Sequence, residues 1–128
     1  MKNMKKLVLL IALGAIAFSQ SHAAYISASA YCSYPSSPTS NSRSSYISTS
    51  CTYYLQVQSN TSLPDSEGWA EVKRNNITYT YLVSYAPGTY TKSGTMSKVG
   101  TQMKVTVYAH ADAYASGTWT YAYSKISW

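Results

Sequence analysis

His110 and Asp112 have the types and spacing for acid–base chemistry. Two residues apart on a strand, they project from one face, and a serine from a neighbouring strand would complete a hydrolase-like trio. A flat strand face lacks the strained nucleophile turn and oxyanion donors that such chemistry needs. No catalytic residue is therefore assigned, and the chain is expected not to be an enzyme. His110 is the only histidine beyond residue 23, and one histidine does not build a zinc site. Neither a metal nor a cofactor is expected.

Cys32 and Cys51 are the only two cysteines. Their separation is not a CxxC spacing and no histidine cluster stands near them, which argues against a redox or metal pair. An even count in an exported chain predicts a structural Cys32–Cys51 disulfide, stabilising by about 3 kcal/mol in the chain-entropy model.

The third kind of chemistry is recognition. The sequence has 14 Tyr and 3 Trp against a single Phe, which lies before residue 23. Preference for Tyr over Phe indicates rings with one wet end, either covering half-exposed sheet faces or forming a contact surface of rigid rings and adaptable hydroxyls. The candidate binding residues are Tyr79, Tyr81, Tyr85, Trp119, Tyr121 and Tyr123. Each set of three lines one side of its strand, although periodicity does not say whether that side is core or solvent.

The elements that position these groups follow from the pattern. Residues 1–6 are basic, 7–18 are apolar and 19–23 are small and polar, the layout of a signal peptide. Ser21 and Ala23 suit the −3 and −1 positions, so cleavage is expected after Ala23. The apolar run is shorter than the ~20 residues of a spanning helix. Two units result, a signal peptide at 1–23 and a single domain at 24–128. Beyond residue 23 the alternation is almost continuous, as in half-buried strands. The inward sets are Ile26, Ala28, Ala30 and Cys32 in 24–34; Ile47, Thr49, Cys51, Tyr53, Leu55 and Val57 in 45–58; and Met103, Val105, Val107, Ala109, Ala111 and Ala113 in 101–114.

Residues 35–44 and 59–68 read as loops, 69–74 and 77–85 as strands around an Asn75-Asn76 turn, and 89–99 as an edge strand bent at Gly94. Residues 115–117 read as a hairpin turn before a last strand at 118–127. About seven short strands without a helical stripe predict an all-β, small antiparallel β-sandwich, immunoglobulin-like in architecture only. Runs of inward Ala predict either close approach of the sheets or packing beneath large aromatics.

The formal charge of +6 is partly a targeting signal. Without Lys2, Lys5 and Lys6, seven bases oppose four acids, a net +3. The remaining bases are scattered near turns and edges, with no nucleic-acid motif, so no nucleic-acid partner is expected. Modest positive charge suits anionic cell surfaces. The expected protein is bacterial, secreted or periplasmic, and works by binding an extracellular glycan or protein or by coating the producing cell. Alternatives are a strand-exchanging subunit of a surface fibre and a membrane-active antibacterial toxin. Over 104–128 the aromatic-rich composition resembles secreted β-sandwich bacteriocins of the lactococcin 972 type. No motif is shared, and no residue role is carried over.

Overall fold

The computed structural model describes residues 24–61, 66–97, 99–111 and 116–128. The expected leader, Asp112 and Ala113 lie outside them. Eight strands follow in order: β1 (Tyr25–Ser33), β2 (Thr39–Ile47), β3 (Cys51–Ser59), β4 (Glu67–Arg74), β5 (Ile77–Ser84), β6 (Gly88–Met96), β7 (Thr101–His110) and β8 (Trp119–Ser127). They form two four-stranded sheets, β1-β8-β3-β6 and β2-β7-β4-β5, and every pairing is antiparallel. The protein is an all-β sandwich. Its eight interleaved strands make a jelly-roll arrangement rather than the seven-strand immunoglobulin order.

The alternation places the core. Met103, Val105, Val107 and Ala109 of β7 are buried against Leu55 and Val57 of β3 and Ala122 and Ile126 of β8. The Asn75-Asn76 turn forms as expected, both residues having positive φ (51° and 62°) and joining β4 to β5 as a hairpin.

Three local expectations need correction. The stretch 35–44 is not all loop, because β2 begins at Thr39. It is an edge strand held by its ladder to β7, and only Ile47 within it is buried, so hydrophobic alternation could not reveal it. The stretch 45–58 is not one strand. The chain leaves the second sheet after Ile47 and enters the first at Cys51, and Thr49 between them is exposed. Ile47 and Cys51 keep the same parity across the gap, which hid the break. No hairpin joins β7 to β8, since they lie in different sheets; Ala115 of the turn expected at 115–117 lies outside the described residues. Asn60 fixes this crossing: its Nδ2 donates to the Gly117 carbonyl at 2.7 Å, and its Oδ1 accepts from the Trp119 N–H at 2.8 Å.

The expected Cys32–Cys51 disulfide does not form; both cysteines are buried free thiols. Register gives the reason. Cys32 pairs with Thr120 of β8, and Thr120 pairs with Ser59 at the end of β3. Cys51 starts β3, about 26 Å away along the strand, whereas a disulfide needs Cα atoms within about 7 Å. Facing the core from both strands was correct and insufficient. Cys32 Sγ instead donates to the Ser37 carbonyl at 3.4 Å and accepts from the Ala111 N–H at 3.4 Å. Burial pushes the Cys51 thiol pKa up, and the Arg74 charge offsets part of that.

The sheets approach closely where inward side chains are small. Ala70, Ala122 and Thr120 are fully buried, and the Ser124 hydroxyl of β8 donates across the gap to the Glu71 carbonyl of β4 at 3.1 Å. A Cβ on Gly68 would lie 2.3 Å from Val57 Cγ1. Gly68→Ala is therefore expected to destabilise by about 1–3 kcal/mol through overpacking, read as a lower urea midpoint at unchanged m-value. An unaltered midpoint would show that the sheets can separate freely here.

Candidate functional site

On β4 the small residues Gly68, Ala70 and Val72 face inward, so Glu67, Trp69, Glu71 and Lys73 project outward from the second sheet. Pairing with β7 and β2 arranges them in rows. Ser40, Tyr108, Trp69 and Val83 form one row. Ser42, Thr106, Glu71 and Tyr81 form the next, followed by Ser44, Lys104 and Lys73. Glu67 stands opposite His110 beyond the first row. The small Ser40 and Thr106 between bulkier neighbours leave a cavity of about 390 Å³, lined by Ser40, Glu67, Trp69, Glu71, Thr106, Val107 and Tyr108. A second cavity of about 380 Å³, lined by Ser40, Asn41, Ser42, Lys73, Lys104 and Thr106, continues the trough.

The trough holds both acids among the described residues. Glu71 is 5% exposed despite its outward position. One of its carboxylate oxygens accepts from the Thr78 hydroxyl, and the other lies 3.8 Å from Lys73 Nζ. Burial raises the Tyr108 pKa, and the Glu67 charge adds to the shift. Trp69 remains 40% exposed, with the Tyr81 ring 6.1 Å away at 52°. The Thr106 hydroxyl is buried and has no hydrogen-bond partner, an exception to the usual satisfaction of buried polar atoms. Among the described residues no three His, Cys, Asp or Glu side chains come together.

The six residues singled out from sequence do not share a surface. Tyr81 joins the trough through Trp69. Tyr79 falls at the β-bulge opposite Val72/Lys73, and its ring meets Tyr53 of the other sheet edge-on at 6.0 Å. Tyr85 lies beyond the end of β5. Trp119, Tyr121 and Tyr123 occupy the outer face of the first sheet, on the other side of the sandwich. There the rings engage each other: Tyr31 stacks on Trp119 at 6.4 Å, Tyr54 meets Tyr123 at 6.2 Å, and Lys125 Nζ sits 4.8 Å from the Tyr25 ring centroid. Burial raises the Tyr121 pKa, with Tyr123 and Tyr54 adding to it.

Sequence reasoning passed over Trp69, Tyr108, Glu67, Glu71, Thr106 and Ser40 as site residues. For β4 the signal was present: glutamate, tryptophan, glutamate and lysine alternate with glycine, alanine and valine. The place of Ser40 and Thr106 beside them comes only from strand register. His110 is opposite Glu67, and its proposed partner Asp112 lies outside the described residues.

No protein-family model and no curated protein matches the chain. Solved structures are similar at low identity. The TmCBM61 module in complex with beta-1,4-galactotriose matches at 10% identity, covering 80% of this chain and 68% of that one, with a TM-score of 0.44. The CBM36-1 domain of a multidomain xylanase from the hindgut metagenome of Trinervitermes trinervoides matches at 12% identity, over 82% and 96%, with a TM-score of 0.40. A structure of Bacillus endospore appendages, described as disulfide-linked pili, matches at 10% identity, over 83% and 87%, with a TM-score of 0.39. At such scores a general layering of sheets is all that two chains need have in common.

Thr106→Val is expected to leave the melting temperature unchanged or raise it, because it removes a buried hydroxyl that has no partner. A thermal melt lowered by several degrees would show that this hydroxyl is satisfied within the fold.

Proposed function

We propose that this protein is an exported, non-catalytic module that binds an extracellular glycan along the trough of the second sheet. The observation that carries this reading is the cavity in which Trp69 and Tyr108 stand beside Glu67, Glu71 and the unpartnered Thr106 hydroxyl. A sugar ring offers an apolar face to an aromatic wall and hydroxyls to carboxylates and side-chain oxygens. An apolar surface with a few convergent polar groups is the usual composition of a ligand site. The trough extends about 20 Å from Glu67 to Lys73 along β4, which suits an oligosaccharide.

Hydrolysis fits less well. Glu67 and Glu71 are four residues apart on one strand, so their backbones are about 13 Å apart. The paired carboxyl groups of glycosidases stand at about 5–9.5 Å on either side of the scissile bond, whereas these two project from the same surface and Glu71 is held by Thr78 and Lys73.

Trp69→Ala is expected to weaken oligosaccharide binding at least tenfold, about 1.4 kcal/mol, as large exposed aromatics dominate such contacts. Calorimetry with array-selected glycans measures this, and an unchanged far-ultraviolet spectrum confirms the fold. Equal affinity for both chains, or no glycan bound at micromolar concentration, would reject the reading. Export rests on the order of basic, apolar and small polar residues over 1–23. N-terminal sequencing of the purified envelope or medium fraction is expected to begin at Ala24; an intact residue 1 would contradict processing.

A further inference from the structure

We infer that the trough selects acidic glycans, with an anionic sugar substituent seated between Lys73 and Lys104. The inference rests on the glycan-binding reading and names the substrate class of that site. Lys73 and Lys104 are direct cross-strand partners on β4 and β7, and their side chains line one cavity. Like charges placed opposite one another destabilise a sheet unless something offsets them. Within the fold the offset is incomplete. Glu71 reaches Lys73 only at 3.8 Å while also accepting from Thr78, and Lys104 has no ion pair among the described residues.

The rest of the cavity lining supplies hydrogen-bond donors. Ser40 and Ser42 provide hydroxyls from the edge strand β2. The buried Thr106 hydroxyl without a partner lines this cavity and the aromatic one alike. It stands where the neutral part of a ligand would meet its charged substituent. Two ammonium groups and three hydroxyls form a site for a carboxylate or a sulfate, because charge-assisted hydrogen bonds to such oxygens are the strong ones. Glu67 lies at the opposite end, about 20 Å away. The trough is therefore polarised along its length and gives an acidic chain one preferred direction.

The test uses the mature chain and three matched probes: cellotetraose, its C6-carboxylated form and its 6-O-sulfated form, titrated calorimetrically into wild type and Lys104→Gln. At low salt at least one acidic probe is expected to bind about tenfold more tightly than cellotetraose, a difference of about 1.4 kcal/mol. Whichever acidic probe shows the margin identifies the anion. The margin is expected to shrink with added salt and to vanish in Lys104→Gln. Equal affinity of all three probes for wild type, or a margin that survives in Lys104→Gln, would overturn the inference while leaving glycan binding intact. A parallel amide-resonance titration with inorganic sulfate separates the two ideas. If no oligosaccharide binds but sulfate shifts Lys104 and Thr106 in wild type and not in Lys104→Gln, the anion site stands and the glycan reading fails. If sulfate shifts neither residue and neither acidic probe gains, the anion site is refuted.

Discussion

The close contact between β4 and the opposite sheet is the constraint on which the trough depends. Gly68 leaves no space for a Cβ beside Val57, and Ser124 bonds through the gap to the Glu71 carbonyl. Because a strand repeats every two residues, fixing Gly68, Ala70 and Val72 inward sends Glu67, Trp69, Glu71 and Lys73 outward together. The β4–β7 ladder then sets them beside His110, Tyr108, Thr106 and Lys104. A slip of one residue would bury the charges and expose the small side chains, at a cost no marginally stable domain sustains.

Features that do not favour folding gather on this same face. A carboxylate is almost completely enclosed, a hydroxyl is buried without a partner, and two lysines stand opposite each other. The inner faces, by contrast, show consistent apolar and small-residue packing, and the hydroxyl of Ser59 is bonded to Thr120 and the Trp119 carbonyl. The aromatic face of the first sheet is also more self-contained, with Tyr31 on Trp119 and Tyr54 against Tyr123. Local departures from good folding chemistry, confined to one surface, mark a site shaped for something other than stability.

Much of the fold was legible because burial follows the two-residue period. Met103 to Ala109 and Cys51 to Val57 announced their inward sides, and Asn75-Asn76 announced its turn. Other features were not legible for specific reasons. Strand β2 is an edge strand of Ser, Asn and Arg whose ladder to β7 leaves no hydrophobic trace. Cys32 and Cys51 both point inward, but parity does not give position along a strand, and register sets them at opposite ends. Tyr81 was recognised as a candidate, whereas the company it keeps was not. Trp69 adjoins Tyr108 and Thr106 through pairing between residues nearly forty positions apart. Trp119, Tyr121 and Tyr123 satisfied the same aromatic pattern and fell on the opposite surface, since composition does not assign a strand to a sheet.

Single-tryptophan fluorescence addresses the central claim most directly, because the three tryptophans occupy different places in the sandwich. A chain carrying Trp119→Phe and Trp128→Phe retains only Trp69 in the trough; one carrying Trp69→Phe and Trp128→Phe retains only Trp119 on the first sheet. With C6-carboxylated cellotetraose added to each, the account predicts a saturable emission change from Trp69 and none from Trp119. A response from Trp119 alone, or from neither tryptophan, would contradict it.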